Sequence, residues 1–394
     1  MTRHPLRVSF IVAALAMLAP FSLDTYLPSF PSIAADLGAT PQEMQRTLSD
    51  YLWAFGLMML VYGPLSDALG RRRVVLVALL GYALASLGCA LANDIDTLML
   101  MRAGQGLAAG AGLVIGRALV RDVFEGAQAQ RVTADVMLFF AIAPAIAPLV
   151  GGWLDDAFGW RAVFLFLAVM GLLIFALVAA WMPETLPDHQ RQPIHPLSVA
   201  QAYGGMFSHL PFMLLALLFG INFGGLFIYI ASAPELIYTH LGYGSHDFWR
   251  LFVPVVVGIV MGSFLAGRLA HRLTSRQGVS IGFVLMAVAA LLNVALTYLP
   301  TQTAVTLIAP VALYAMGMAF SMPGLSLLGL DMYPARRGMA SAVQGFMQMM
   351  SNGLLAAFVV TLLAASVQWL ALGQLAIALS ALGVWLAFLK TQTR

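Results

Sequence analysis

The stretch GPLSDALGRRR, Gly63 to Arg73, is a short polar turn set between two long apolar blocks. Its spacing decides the fold. Gly63 is expected to let one helix approach a neighbour, Asp67 to accept hydrogen bonds at the turn, and Gly70 to adopt a backbone shape that other residues avoid. Arg71, Arg72 and Arg73 then hold this end of both helices at an aqueous face. A positively charged loop would explain the three arginines. It would not explain the glycine–aspartate–glycine spacing.

Outward from this turn, apolar residues run in blocks rather than alternating. The 394 residues are 61% hydrophobic and 9% charged, against about 25% charged in a soluble domain. Blocks of about 20 apolar residues match the hydrocarbon thickness of a lipid bilayer as helices. Lipid permits only helices or closed barrels, because backbone groups must be satisfied internally. The blocks are too long and continuous for the ~10-residue alternating strands of a barrel. The predicted fold class is all-α, integral to a membrane. Spans are expected at 8–28, 46–66, 73–92, 98–119, 133–154 and 161–182, then at 211–232, 248–269, 278–299, 303–325, 339–364 and 369–389. These twelve form an N-terminal six-helix bundle over 1–182, a cytoplasmic linker over 183–210 and a C-terminal six-helix bundle over 211–394. The first block reads as a span rather than a cleavable leader, since Pro28 and Pro31 follow it where a small-residue cleavage site would be needed.

Short Lys/Arg-rich loops stay cytoplasmic. With the N-terminus inside, the inner segments hold Arg3, Arg7, Arg71 to Arg73, Arg117, Arg121, Arg131, Arg191, Arg268, Arg272, Arg276, Arg336, Arg337, Lys390 and Arg394. The outer segments hold only Arg46, Arg161 and Arg250. Both termini are expected in the cytoplasm. The formal net charge of +3 reflects this topology and gives no reason to expect a nucleic-acid partner. The single cysteine, Cys89, lies in a predicted span and excludes a disulfide framework. Enzyme chemistry finds no motif. His4, His189, His195, His209, His240, His246 and His271 fall in loops or at helix ends, with no H-E-x-x-H pair, G-x-S-x-G elbow or P-loop.

The halves echo each other. RDVFEGAQAQRVTAD, after the fourth span, parallels LDMYPARRGMASA after the tenth, with Asp122 and Asp331 each followed two residues on by an aromatic, Phe124 and Tyr333. GPLSDALGRRR has a weaker counterpart in GSFLAGRLAHR from Gly262. Parallel halves of this kind are the layout of one large transporter class, with the substrate site near the midplane.

Charged residues inside spans are costly, about 2.5–3.5 kcal/mol at a helix centre on insertion scales, and are functional candidates by default. Asp24 lies ~24 Å along a first helix entering near Val8, and Arg102 ~6 Å along the fourth from Leu98, at ~1.5 Å per residue. Asp50, on the second span, falls at a similar level. The three are expected to form a mutually adjusted set, since burial and a neighbouring guanidinium act oppositely on a carboxyl group. Other readings remain open: an interfacial or capping Asp24, a structural tie at Arg102, and an Asp50 facing water. Pro144, Pro148, Gly151 and Gly152 on the fifth span point to a kinked, closely packed helix. Gln344, Gln348 and Asn352 on the eleventh share a face by their i, i+4, i+8 spacing. They, with Asn222 on the seventh, either line a substrate cavity or bond between helices. Tyr26, Trp53, Phe139, Phe140, Tyr229 and Met347 are candidate soft walls for a hydrophobic ligand.

GPLSDALGRRR resembles the signature loop between the second and third helices of the major facilitator superfamily, with Ala68 where that family usually carries a basic residue. LMLMRAGQGLAAGAG, from Leu98, is similar to the family's fourth-helix motif of an intramembrane arginine followed by Gln105 and Gly106. APAIAPLVGGWL, from Ala143, is similar to its antiporter motif, with Ala147 where a glycine often stands. SLDTYLPSFPSIAADL, GWRAVF and PETLP resemble the bicyclomycin/chloramphenicol-resistance branch of drug:proton antiporters. The resemblance implies proton coupling through Asp24, Arg102 and Asp50, a substrate cavity that includes Gln105, a gating loop at Gly63–Arg73, and a seam at the antiporter motif that favours exchange. It implies a monomer in a bacterial inner membrane, with no cofactor, that uses the proton gradient to export small hydrophobic drug-like compounds. A metabolite exporter or proton symporter of the same fold is the alternative.

Overall fold

The computed structural model describes residues 5–187, 191 and 195–391. Arg3, His4, His189 and Arg394, named above, lie outside the described residues. The chain divides into two compact units, Met1–Gln201 and Ala202–Arg394. Each is helical, and no strand occurs among the described residues.

The first unit contains α1 (Pro5–Asp24), a 3-10 turn (Leu27–Ser29), α2 (Phe30–Leu37), α3 (Pro41–Leu69), α4 (Arg71–Ala90), α5 (Ile95–Val123), α6 (Gly126–Phe158) and α7 (Trp160–Trp181). Helix α8 (Pro196–Phe207) lies within the polar stretch where the linker was expected. The second unit contains α9 (Leu210–Ala231), a π-helical turn (Glu235–His240), α10 (Trp249–Leu269), α11 (Ser275–Thr297), α12 (Ala304–Asp331) and α13 (Arg337–Leu354). A second π-helical stretch (Leu355–Val360), α14 (Thr361–Leu363) and α15 (Val367–Thr391) complete it. Twelve helical segments among the described residues are long and apolar enough to cross a membrane. The protein is a multi-pass membrane protein.

The apolar blocks predicted the helices, and polar chemistry sets their ends. α3 begins at Pro41 rather than 46 because Thr40 and Glu43 form a reciprocal cap: Thr40 N donates to Glu43 Oε2 at 2.8 Å and Glu43 N to Thr40 Oγ1 at 3.3 Å. α5 begins at Ile95 because Asp94 accepts from Thr97 N at 2.7 Å. The first span is not one continuous helix to 28. It stops at Asp24 and restarts at Phe30, with Pro28 in the intervening turn.

Within the first unit α3 packs on α5, α4 on α5 and α7, and α1 on α4's partners α5 and α7 and on α6. Within the second unit the equivalent pairs are α10 on α12, α11 on α12 and α15, and α9 on α12, α15 and α13. The same six pairings thus occur in both units, as the sequence echoes predict. Close approach is built in: a Cβ on Gly106 of α5 would overlap the Tyr51 carbonyl of α3.

The Gly63–Arg73 stretch fastens α3 to α4. Gly70 adopts φ +95°, a region that favours glycine. Arg71 Nη1 donates to Asp67 Oδ1 at 2.5 Å and Ser66 Oγ at 2.7 Å, and Arg71 Nε to Asp122 Oδ2 at 3.2 Å. Glu184, from PETLP, caps α4 by accepting from Arg71 N at 2.9 Å and Arg72 N at 3.2 Å. Arg72 Nη2 donates to Ala179 O at 2.6 Å, whereas Arg73 is exposed. One expectation is corrected. A Cβ on Gly63 would meet nothing within 4 Å, so that glycine mediates no close helix contact here.

Candidate proton-coupling site

Arg102 stands two turns into α5, where the apolar helix would otherwise need only apolar neighbours. Its side chain is fully buried. Nη1 donates to Gln105 Oε1 at 2.7 Å and to the Ser22 carbonyl of α1 at 3.1 Å. Gln105 Nε2 in turn donates to Ser86 Oγ of α4 at 2.7 Å. The guanidinium carbon sits 4.2 Å from the Tyr26 ring centroid and 4.5 Å from that of Tyr51. Such desolvated cation–π contacts are worth up to about 2 kcal/mol each. Arg102 Nε and Nη2 have no hydrogen-bond partner among the described residues. A buried cation is therefore held by two aromatic faces, an amide and a carbonyl, and no carboxylate among the described residues forms an ion pair with it.

Asp24 is the last residue of α1 and is also buried, at 5% exposure. No described residue gives its carboxyl group a hydrogen bond or an ion pair. The sequence places Asp24 and Arg102 at one level, and the structure brings both into the interior of the first unit. It does not pair them. The expected third member, Asp50, is half-buried on α3 and has Arg46 as its charged neighbour. On α3 it is Tyr51, the residue after Asp50, whose ring faces Arg102, since consecutive helical residues point different ways.

Several expected cavity residues have other work. Tyr26 is fully buried, its hydroxyl 3.1 Å from Thr47 Oγ1 and its ring against Arg102, so it is no open wall. Gln105 is taken up by Arg102 and Ser86. Trp53 is half-buried, and Phe139 and Phe140 are exposed. α6 continues as one helix through Pro144 and Pro148. Pro148, Gly151 and Gly152 are buried and Pro144 half-buried. A Cβ on Gly151 would overlap the Thr25 carbonyl, so this glycine serves a seam between α6 and the end of α1 inside the first unit.

In the second unit, Asn222 takes the interhelical option. Its Nδ2 donates to Met318 O at 3.3 Å, and its Oδ1 accepts from Ser321 Oγ at 2.9 Å. Tyr229 is buried rather than a wall, accepting from Asn293 Nδ2 at 2.7 Å. Asn293 Nδ2 also donates to Gln374 Oε1 at 2.8 Å, and Gln374 Nε2 to Gly225 O at 3.1 Å. Gln344 and Asn352 are buried, while Gln348 and Met347 are half-buried. Gln344 Nε2 reaches Ser326 O at 3.4 Å, and Asn352 Oδ1 has no partner among the described residues.

Sequence reasoning missed Tyr51, Ser22, Ser86, Tyr82, Asn293 and Gln374. Asn293 and Gln374 carried a signal, each being a lone amide in an apolar span. Tyr51 and Tyr82 carried none, since aromatic residues are common in such helices. The hydroxyls of Ser22 and Tyr82 bond directly to each other.

Comparison with known proteins agrees with this architecture. The family model described as Major Facilitator Superfamily matches residues 12–354. The chain is 33% identical over 361 residues to an uncharacterized MFS-type transporter, YdgK, of Bacillus subtilis (strain 168), covering 91% of this chain and 89% of that one. It is 30% identical over 336 residues to multidrug resistance protein D of Escherichia coli (strain K12), covering 84% and 82%. It is 32% identical over 331 residues to a chloramphenicol resistance protein of Pseudomonas aeruginosa, covering 82% and 78%. A crystal structure of a D-xylose-proton symporter superposes with TM-score 0.74 at 15% identity, over 96% of this chain and 97% of that one, a likeness of fold alone. Repeated six-helix packing, the arginine-rich Gly63–Arg73 turn and the Arg102–Gln105 pair have one common explanation: the chain belongs to the major facilitator superfamily.

Proposed function

We propose that this protein is a secondary transporter that exports lipophilic, drug-like compounds in exchange for protons by alternating access. The observation that carries this reading is the pair of buried groups in the first unit: a carboxyl group, Asp24, and a guanidinium, Arg102, that are not paired with each other. A buried carboxyl group with no fixed cation is free to gain and lose a proton as its surroundings change, which is what a proton carrier requires. Relatives named for multidrug and chloramphenicol resistance favour drug-like substrates. The transporter takes its energy from the proton gradient, needs no cofactor, performs no covalent chemistry on its substrate, and works as a monomer. It lies in the bacterial inner membrane with both termini cytoplasmic, which the arginine distribution supports.

The test is growth of an efflux-deficient bacterial host producing the chain, challenged with a panel of antibiotics and dyes. Resistance to hydrophobic compounds supports the reading. A panel with no protected compound contradicts it.

A further inference from the structure

The second unit's echo of the Gly63–Arg73 turn, GSFLAGRLAHR from Gly262, keeps cations and lacks the anions. In the first unit Arg71 is met by Asp67 and Asp122, and Glu184 accepts from the backbone of Arg71 and Arg72. Counted from Gly262 as Asp67 is from Gly63, the corresponding residue is Ala266. Asp331, which echoes Asp122, is bound instead to Arg337 at 3.1 Å. Arg268 lies in the last turn of α10, His271 and Arg272 in the connection, and Arg276 in the first turn of α11, all exposed. Arg268 and Arg272 form no ion pair among the described residues. α15, which packs on α11, carries Lys390 in its own last turn. The segments apolar enough to cross a membrane end at Leu269 and resume at Ser275, so these cations stand at the hydrocarbon boundary.

Beside them α11 presents a groove of about 420 Å³ lined by Ser280, Ile281, Val284, Leu285 and Val288. The i, i+4, i+8 spacing puts Arg276 on the same face as Ser280 and Val284. At ~1.5 Å per residue the groove starts ~6 Å from Arg276 and runs on for ~12 Å. Its one hydroxyl is already used: Ser280 Oγ donates to the Arg276 carbonyl at 2.9 Å and accepts from Trp385 Nε1 of α15 at 2.9 Å. The rest of the groove is apolar, with Ile281, Val284 and Val288 exposed. A free anion would satisfy the arginines and leave the groove empty, and a neutral hydrocarbon would do the reverse. We propose that turn and groove together bind an anionic phospholipid, its headgroup phosphate against Arg268, Arg272 and Arg276 and an acyl chain along Ile281, Val284 and Val288. Guanidinium groups hold phosphate oxygens through paired, charge-assisted hydrogen bonds, and basic clusters at a membrane boundary select anionic headgroups. A zwitterionic headgroup brings its own cation to the arginines and gains less. The lipid supplies in the second unit the negative charge that Asp67, Asp122 and Glu184 supply in the first.

Photolabelling tests the site. The full-length protein is placed in phosphatidylcholine nanodiscs holding a trace of phosphatidylglycerol with a diazirine in its acyl chain, or of phosphatidylcholine with the same chain. Mass spectrometry then reads the label over 280–288. In the wild type the anionic probe should label this segment roughly tenfold more than the zwitterionic one. Arg268→Gln combined with Arg272→Gln should bring that ratio close to one, while the zwitterionic label stays in place and reports an intact fold. Lysine at both positions should restore most of the preference. Equal labelling by the two probes in the wild type would make this an ordinary lipid-facing helix and overturn the proposal. A preference that survives the double glutamine variant would overturn it too. Loss of the preference on adding millimolar inorganic phosphate would make the turn a site for free anions, against the lipid assignment.

Discussion

The two units pack their helices in the same six pairings but fill their interiors with different chemistry. In the first, a guanidinium is buried between two tyrosine rings and a carboxyl group is buried at the end of α1, and among the described residues Arg102 Nε and Nη2 are cationic nitrogens without a partner. In the second, charged side chains of the long helices sit only near their ends, and the buried polar cluster of Tyr229, Asn293 and Gln374 is neutral and largely bonded. Helix packing repeats because small residues and apolar faces suffice for it. Titratable chemistry repeats less closely: the second unit's half-buried carboxyl group, Glu235, lies in a turn outside the spans, and each buried charge costs several kcal/mol. Among the described residues, the buried guanidinium and the buried carboxyl group of the long helices thus both lie in the first unit.

Replacing Asp24 should break this asymmetry most completely. Asp24→Asn is expected to keep expression and abolish pH-driven drug resistance, read as growth of the efflux-deficient host. Arg102→Met comes next, because it separates the two roles open to Arg102. The cost of burying a cation without an ion-pair partner offsets its two ring contacts and two hydrogen bonds, so the variant should keep roughly wild-type stability. Its coupled export should be lost. A lower melting temperature in lipid would make Arg102 a structural tie instead.

The opposite pattern is expected in the second unit. Asn293→Leu leaves the Tyr229 hydroxyl and the Gln374 amide without their shared donor and should cost about 1–3 kcal/mol. The pH profile of transport by the remaining folded protein should be unchanged. A shifted profile would bring titration into the second unit as well.

How much of this was legible beforehand depended on the distance over which each feature is determined. Spans are local, and hydropathy located all twelve. Their ends were read less well, because Thr40 with Glu43 and Asp94 with Thr97 extend helices beyond the apolar blocks. Asp24 and Arg102 stood out because charge is conspicuous in lipid. Their surroundings did not, since the clamp on Arg102 joins residues from α1, α3 and α5 that no sequence spacing relates. Gly63 misled for the same reason: glycine permits a close contact without specifying one.

The smallest effect concerns Glu235, in the π-helical turn after α9 and outside the membrane-spanning segments. Burial pushes its carboxyl group up from the usual range, opposed by its own backbone N–H and by His240. His240 Nε2 lies 2.7 Å from Ala364 O, joining this turn to the end of α14. A carboxyl group with a raised folded-state pKa is neutral without penalty below its unfolded value, and it destabilises increasingly as pH rises through the folded value. Glu235→Gln should therefore raise the melting temperature at pH 7 to 8 and make no difference near pH 4. A gain that persists at pH 4 would remove the electrostatic explanation.

The central claim, that the first unit's buried carboxyl group exchanges protons for drug, is tested most directly in proteoliposomes. Substrate is added to the lumen side from which protons are counted, and wild type is compared with Asp24→Asn for proton movement on substrate addition. The account predicts proton flux opposite in direction to substrate for the wild type and none for the variant. Equal flux in both, or flux in the same direction as substrate, would contradict it.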